Sequence, residues 1–193
     1  MPTDDELAAA LSAARAGHEH GFAVLWRELH PAVLRYLRVV AGDAAEDAAS
    51  ETWLQVARDL DRFTGDPAAF RGWLFRIARH RGIDELRRAR RRREEPAETL
   101  ENGTPAPDAA TEAIVGVETA WALDRVMALP ADQAEAVMLR IVAGLDVAAT
   151  ARVLGKRRGA VRIATMRGLR RLGADPEVRD RAAGNFHETH EEV

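Results

Sequence analysis

The chain of 193 residues has no cysteine, a single tyrosine and only 5% aromatic residues. Missing thiols exclude disulfides, thiolate zinc sites and any thiol redox switch. No apolar run approaches the ~20 residues that span a bilayer. The opening residues, MPTDDELAAALSAARAG, are acidic before they are apolar, unlike a secretory signal. A cytoplasmic location without membrane insertion is therefore expected. Strand patterning is lacking too, since period-two alternation never extends beyond isolated tetrads. No glycine-rich phosphate loop follows a strand. The six histidines are scattered, and His187 and His190 sit in FHETHEEV, which reads as a polar tail before it reads as a metal site. No catalytic constellation emerges, so neither an enzyme nor a cofactor or metal is expected.

What is present is 47% hydrophobic and 31% charged, dominated by alanine and arginine. That composition favours an all-α protein. The net charge of −3 hides strong segregation. Residues 71–93 hold ten arginines against Asp84 and Glu85, and residues 152–172 hold seven arginines and Lys156 with no acid. Residues 94–135 carry ten acids against Arg125 alone, and residues 43–61 carry six against Arg58. Two basic blocks separated by acidic ones point to two contacts with a polyanion, with another partner on the acidic parts.

Residues 94–112, EEPAETLENGTPAPDAATE, have three prolines and no aromatic, and read as a flexible acidic linker. Fully extended, such a segment reaches roughly 60 Å. The expected organisation is an N-terminal domain over 1–93, the linker over 94–112, a C-terminal domain over 113–173 and a disordered tail over 174–193. In the first domain Phe22, Leu25, Trp26 and Leu29 recur at helical spacing; Pro31 is expected to restart the helix, and Gly42 to end it. Asp43 should cap the next helix, with Ala49, Trp53, Val56 and Leu60 inward. Its other face carries Asp47, Glu51, Leu54 and Gln55. An acidic stripe around one leucine is either a solvated face or a docking face for a basic partner helix.

On the helix FRGWLFRIARHRGIDELRRARRRR, from Phe70 to Arg93, 100° per residue puts Phe70, Leu74, Ile77 and Ala78 on a core seam. Trp73, Arg76, His80, Arg87 and Arg91 share a neighbouring face. A flat π surface among arginines suits unstacked bases, worth about 1–3 kcal/mol per base; the bland alternative makes Trp73 core and the arginines solubilising. In DVAATARVLGKRRGAVRIATMRGLRRLG, Asp146 is a good N-cap. Ala151, Gly155 and Val161 then have the spacing of a helix-turn-helix, with Gly144 and Gly173 on either side. Val161, Ala164, Gly168 and Leu172 face inward; Gly159, Arg162, Ile163, Met166 and Arg170 face out. The first turns of such a helix enter the major groove. Arg158 and Arg162 are assigned to base edges or nearby phosphates, Ile163 and Met166 to thymine methyls, and Lys156, Arg157, Arg167, Arg170 and Arg171 to phosphates.

Three segments, DAAEDAASETWLQVARDLDRF, AAFRGWLFRIARHRGIDELRRARRR and LPADQAEAVMLRIVAGLDVAATARVLGKRRGAVRIATMRGLRRL, stand in the order and separation of one family. With them the chain resembles a bacterial RNA polymerase sigma factor of the small, two-domain extracytoplasmic-function (ECF) group of the sigma-70 family. The resemblance implies that Asp47, Glu51, Leu54 and Gln55 grip the clamp helices of the largest core RNA polymerase subunit, while the C-terminal domain meets the flap of the second-largest. It implies that Phe63, Arg71, Trp73, Arg76, His80, Arg81, Arg87 and Arg88 capture the −10 element as single strand, the loop Phe63–Phe70 helping to form a pocket for a flipped base. The helix-turn-helix, with Lys156, Arg157, Arg158, Arg162, Ile163, Met166, Arg167 and Arg170, would read the −35 element of promoter DNA. The family also admits an anti-sigma factor as partner. Where housekeeping relatives commonly carry two aromatics this chain has Trp73–Leu74, so strand opening would lean on base capture. His80, Ile163 and Ala164 also depart from many relatives. Two other readings fit the residues: a helix-turn-helix regulator that binds operator DNA without polymerase, and a helical adaptor that binds only proteins.

Overall fold

The computed structural model describes residues 4–94 and 117–181, and every regular element among them is helical. Glu94, expected to open the linker, instead closes the last helix of the N-terminal unit; the rest of the expected linker, and the histidine-bearing tail end, lie outside the described residues. Helix α1 (Asp4–Arg15) packs on α2 (Glu19–Ala41). A 3-10 turn (Gly42–Ala44) leads into α3 (Ala45–Asp59), and a second (Leu60–Arg62) leads toward α4 (Pro67–Glu94). After the linker come α5 (Val117–Met127), α6 (Ala131–Val137) with a π turn over Met138–Val142, α7 (Val147–Leu154) and α8 (Arg158–Ala174). A short helix, α9, follows over 176–181.

The N-terminal unit forms because each helix offers one apolar stripe. Leu25, Leu29, Val33 and Leu37 of α2, Ala49, Trp53 and Val56 of α3, and Phe70, Leu74, Ile77 and Ala78 of α4 are buried together. Helix α1 adds Leu7 and Leu11 to the same core. Phe75 and Tyr36, fully buried, meet edge to face at 5.6 Å. Large side chains of this kind contribute roughly 1.5–3 kcal/mol each on burial. Helices α1 and α2 cross closely at Gly21, where an added Cβ would lie 2.7 Å from the Ala10 carbonyl oxygen.

Several local expectations change. Pro31 does not restart a helix; α2 runs through it unbroken. The carbonyl that loses its partner is that of Arg27, an exposed residue, while Leu29, Ala32, Val33 and Leu34 are buried on either side of the proline. Asp43 is not the cap of α3. It sits in the 3-10 turn that continues from Gly42 (φ 60°), so the chain enters α3 already coiled from Ala44. The start of the tail is ordered by helix and contacts: Arg125 reaches Glu177 at 3.1 Å and Asp175 at 3.8 Å, and the Arg181 guanidinium lies 4.8 Å from the centre of the Trp121 ring.

The two units also do not stand apart. Helix α7 packs on α4, and one continuous apolar core runs through both units. At the seam Glu135 of α6 accepts hydrogen bonds from Arg79 Nε at 2.7 Å and from the Tyr36 hydroxyl at 3.1 Å.

Candidate nucleic-acid interface

The long helix α4 is set by Asp66, whose carboxylate accepts from the Ala69 N–H at 2.7 Å, and it is sustained by the apolar seam beneath. Above the seam Arg76, His80, Arg87 and Arg91 are exposed, as the 100° rotation requires. Trp73 is half-buried: its ring lies 5.0 Å from Phe63 and 5.8 Å from Phe70, and Phe63 meets Phe70 edge to face at 5.5 Å. Trp73 is thus neither a fully buried core residue nor a fully exposed one. One edge joins an aromatic cluster and the remainder faces a cleft of about 620 Å³, lined also by Phe63, Thr64, Gly72 and Arg76. The opposite wall of that cleft is Ala149, Arg152 and Val153 of α7.

Other cations expected on this surface are engaged within the chain. Arg71, with little exposed side chain, pairs with Asp4 of α1. Arg88 pairs with Glu85 one helical turn earlier, and Arg87 stands 3.8 Å from Asp84. Arg81 donates Nε and a terminal nitrogen to Gln55 Oε1 at 3.0 and 2.9 Å. Gln55 also donates to Asp59 at 3.4 Å. The outer stripe of α3 therefore divides. Asp47 and Leu54 are exposed, Leu54 at 56%, whereas Glu51 and Gln55 are half-buried and Gln55 ties α3 to α4.

The helix-turn-helix forms as its spacing predicts. The Asp146 side chain accepts from the Ala149 N–H at 2.6 Å and caps α7. That bond, stronger than the opposing desolvation, holds the carboxyl below its usual range. Gly155 takes the left-handed conformation, φ 64° and ψ 30°, that turns the chain into α8. Val161, Ala164 and Gly168 are buried against α6 and α7, while Leu172 is half-buried. At Gly168 the approach is tight, since an added Cβ would lie 2.7 Å from Val137 Cγ2. Lys156, Arg157, Arg158, Arg162, Ile163, Met166, Arg167 and Arg170 are all exposed. They form a cationic surface with apolar points at Ile163 and Met166, able to meet phosphates and base edges together. Arg171 instead donates to Gln133 Oε1 at 3.2 Å.

Sequence reasoning missed the seam between the units. Burial pushes the Tyr36 hydroxyl well above its ordinary range, and the facing Glu135 carboxylate adds to the rise. Burial would lower the Arg79 guanidinium, but the hydrogen bond and charge of Glu135 outweigh it and raise it. One signal was available: Tyr36 lies among leucines and valines on the inner face of α2, where a buried hydroxyl needs a partner. His30 was also overlooked. It accepts from Trp53 Nε1 at 3.2 Å, stacks under the half-exposed Trp26 at 4.6 Å, and is held below its usual range by burial.

Residues 25–92 match sigma-70 region 2, and residues 120–172 match sigma-70 region 4. The chain is 32% identical over 175 residues to the ECF RNA polymerase sigma factor SigD of Mycobacterium tuberculosis, spanning 87% of this chain and 82% of that protein. It is 35% identical over 162 residues to the ECF RNA polymerase sigma factor BldN of Streptomyces coelicolor, spanning 82% of this chain and 61% of that one. In three dimensions it resembles CnrH, solved in complex with the cytosolic domain of CnrY, with a TM-score of 0.59 at 23% identity over 89% of this chain and 96% of that chain. The sigma factor RpoE of Bartonella quintana, solved with the anti-sigma factor NepR, gives 0.52 at 20% identity over 81% and 96%.

Proposed function

The chain belongs to the ECF sigma factors of the sigma-70 family, and from that premise we propose how its surfaces divide the work of directing core RNA polymerase to a promoter. The exposed part of the α3 stripe, Asp47 and Leu54 with Glu51 beside them, docks on the clamp helices of the largest subunit. An apolar centre within an acidic rim gives both contact area and steering toward a basic helix. Gln55 takes part indirectly, by holding Arg81 and so fixing α3 against α4.

The −10 element is captured as single strand along α4. Trp73, backed by the buried Phe63, offers ring surface for an unstacked base, and Arg76, His80 and Arg87 line the path of the backbone. Arg71 and Arg81 act beneath them, through their pairs with Asp4 and Gln55, and the exposed Arg88 acts beside them, turned by its pair with Glu85. The −35 element is read as duplex by α8, with Arg158 and Arg162 at base edges and Lys156, Arg157, Arg167 and Arg170 on phosphates. The C-terminal unit also meets the flap of the second-largest subunit. An anti-sigma factor is the further partner proposed, since the RpoE neighbour was solved with one. No described helix is long and apolar enough to cross a membrane, and the proposed place of action is the cytoplasm.

The observation that carries this division is the exposure of one cationic, apolar-tipped face on α8 together with a second cationic face beside the Trp73 cleft on α4. Run-off transcription with purified core enzyme tests it. Core enzyme with this chain should initiate at a defined set of promoters, and Leu54→Asp should abolish that by preventing assembly while leaving the helical content unchanged. Tight, sequence-specific duplex binding by the isolated chain, with no effect of core enzyme, would instead support an operator-binding regulator.

A further inference from the structure

Three arginines converge on the cleft beside Trp73. Arg62 ends the second 3-10 turn, Arg76 stands on α4 and Arg152 on α7, and all three are exposed. Among the described residues none of them has a hydrogen-bond or ion-pair partner. Elsewhere the chain pairs its arginines: Arg71 with Asp4, Arg79 with Glu135, Arg125 with Glu177. The acid in the cleft, Asp59, already accepts from Gln55 at 3.4 Å. Three guanidinium groups facing one engaged carboxylate give the cleft a positive potential, and an anion entering it would relieve their mutual repulsion.

The remainder of the cleft suits a flat ring. Trp73 is half-buried, and Phe63 and Phe70 pack against it at 5.0 and 5.8 Å, so its free surface is fixed before any ligand arrives. Ala69, Gly72 and Ala149 add side chains too small to fill the space. A Cβ at Gly72 would already touch the Ala149 Cβ at 3.8 Å, so a larger residue there would close the cleft. Its volume of about 620 Å³ is that of a small-molecule site, for which about 300–1,000 Å³ is usual. Phosphate alone would leave the ring unused, and an uncharged aromatic would leave the arginines unused.

We propose that this cleft binds a free nucleoside polyphosphate, with the base on Trp73 and the phosphates on Arg62, Arg76 and Arg152. Guanidinium forks meet phosphate oxygens two at a time, and the exposed Thr64 adds a hydroxyl for the sugar. Stacking on a ring tolerates every base, so the site selects the phosphate chain more than the base. Arg62 and Arg152 belong to neither surface proposed for DNA. Trp73 and Arg76 are shared with the −10 face, but the inference concerns the free chain and does not rest on the promoter role.

Calorimetric titration of the full chain with adenosine triphosphate, without DNA or polymerase, tests it. Inorganic triphosphate and adenosine serve as the two halves of the ligand. The nucleotide should saturate a single site and bind more tightly than either half. Trp73→Ala should weaken it by about 5- to 150-fold, the loss of one stacked base, and leave inorganic triphosphate unaffected. Trp73→Phe, which keeps a ring, should retain most of the affinity. Arg152→Ala should weaken nucleotide and triphosphate alike by about 10- to 150-fold, the loss of a charged hydrogen bond. Arg170→Ala, on the outer face of α8, should change neither, which separates the cleft from cationic surface in general. Four results would each overturn the proposal: no saturable nucleotide binding, triphosphate binding as tightly as the nucleotide, equal losses in Trp73→Phe and Trp73→Ala, or equal losses in Arg170→Ala and Arg152→Ala. Run-off transcription reports separately on the promoter role, and its failure would leave nucleotide binding by the free chain standing.

Discussion

Replacing Gly168 by alanine should destabilise the C-terminal unit even though alanine is the better helix former. Gly168 lies in the interior of α8, where alanine would ordinarily gain about 1 kcal/mol. Here the new methyl would sit 2.7 Å from Val137 Cγ2 and 3.4 Å from both Gln133 Cβ and the Gln133 carbonyl oxygen. Val137 is itself buried and β-branched, with little freedom to turn aside, and the Gln133 oxygen belongs to the backbone of α6. Overpacking of this kind costs about 1–3 kcal/mol. Opposed by the propensity gain, the net loss should be up to about 2 kcal/mol, or a fall in Tm of up to roughly 8 °C for a chain of this size. Circular dichroism melts measure it directly. The companion variant Val137→Ala removes the clashing methyl. Its own cavity should then be partly refilled in the double variant, giving a favourable coupling of about 0.5–3 kcal/mol in a double-mutant cycle. A Gly168→Ala chain that melts at or above the original temperature would refute the reasoning, because propensity would have won and α6 and α8 could not approach as closely as described.

Gly21→Ala should be more damaging than Gly168→Ala, since the atoms in its way, the Ala10 carbonyl oxygen and the Ala14 amide nitrogen, are backbone; limited proteolysis should find α1 released first. Asp146→Asn should flatten the acid limb of stability. The lowered carboxyl contributes above its unfolded value of 3.8, and that contribution is lost as pH falls through the folded value, so melts near neutrality and near pH ~3 should converge for Asn and diverge for Asp. Arg162→Ala should weaken binding to a −35 duplex by about 1–3 kcal/mol at the preferred base, measured with core enzyme present. Lys156→Ala should weaken all sequences alike and reduce the salt slope by about one.

Much of the candidate site could be read from residue spacing because the forces involved are local. Asp146 capping Ala149, the left-handed Gly155 and the inward set Val161, Ala164 and Gly168 all follow from the geometry of a single helix or turn. So does the division of α4 into a seam through Phe70, Leu74, Ile77 and Ala78 and a cationic face with Arg76 and His80. Local reasoning misjudged Pro31, because the loss of one hydrogen bond on the wet side of α2 is outweighed by burial on the dry side, which the pattern of a short segment does not weigh. It also does not reveal the partners of Arg71 and Arg81, since nothing near them in sequence points to Asp4 or Gln55.

Composition, helical period and charge blocks by themselves determined an all-α chain with a helix-turn-helix at one end and a basic aromatic helix at the other. These are properties of neighbours within a few residues, where backbone geometry alone fixes which side chains share a face. Only the tertiary structure decided that Glu135 would meet Arg79 and Tyr36, 56 and 99 positions away in the chain, and that α7 would stand before Trp73. Contacts across such separations follow from how whole apolar faces pack, and a hydrogen bond between surfaces of two units leaves no periodic trace in either one.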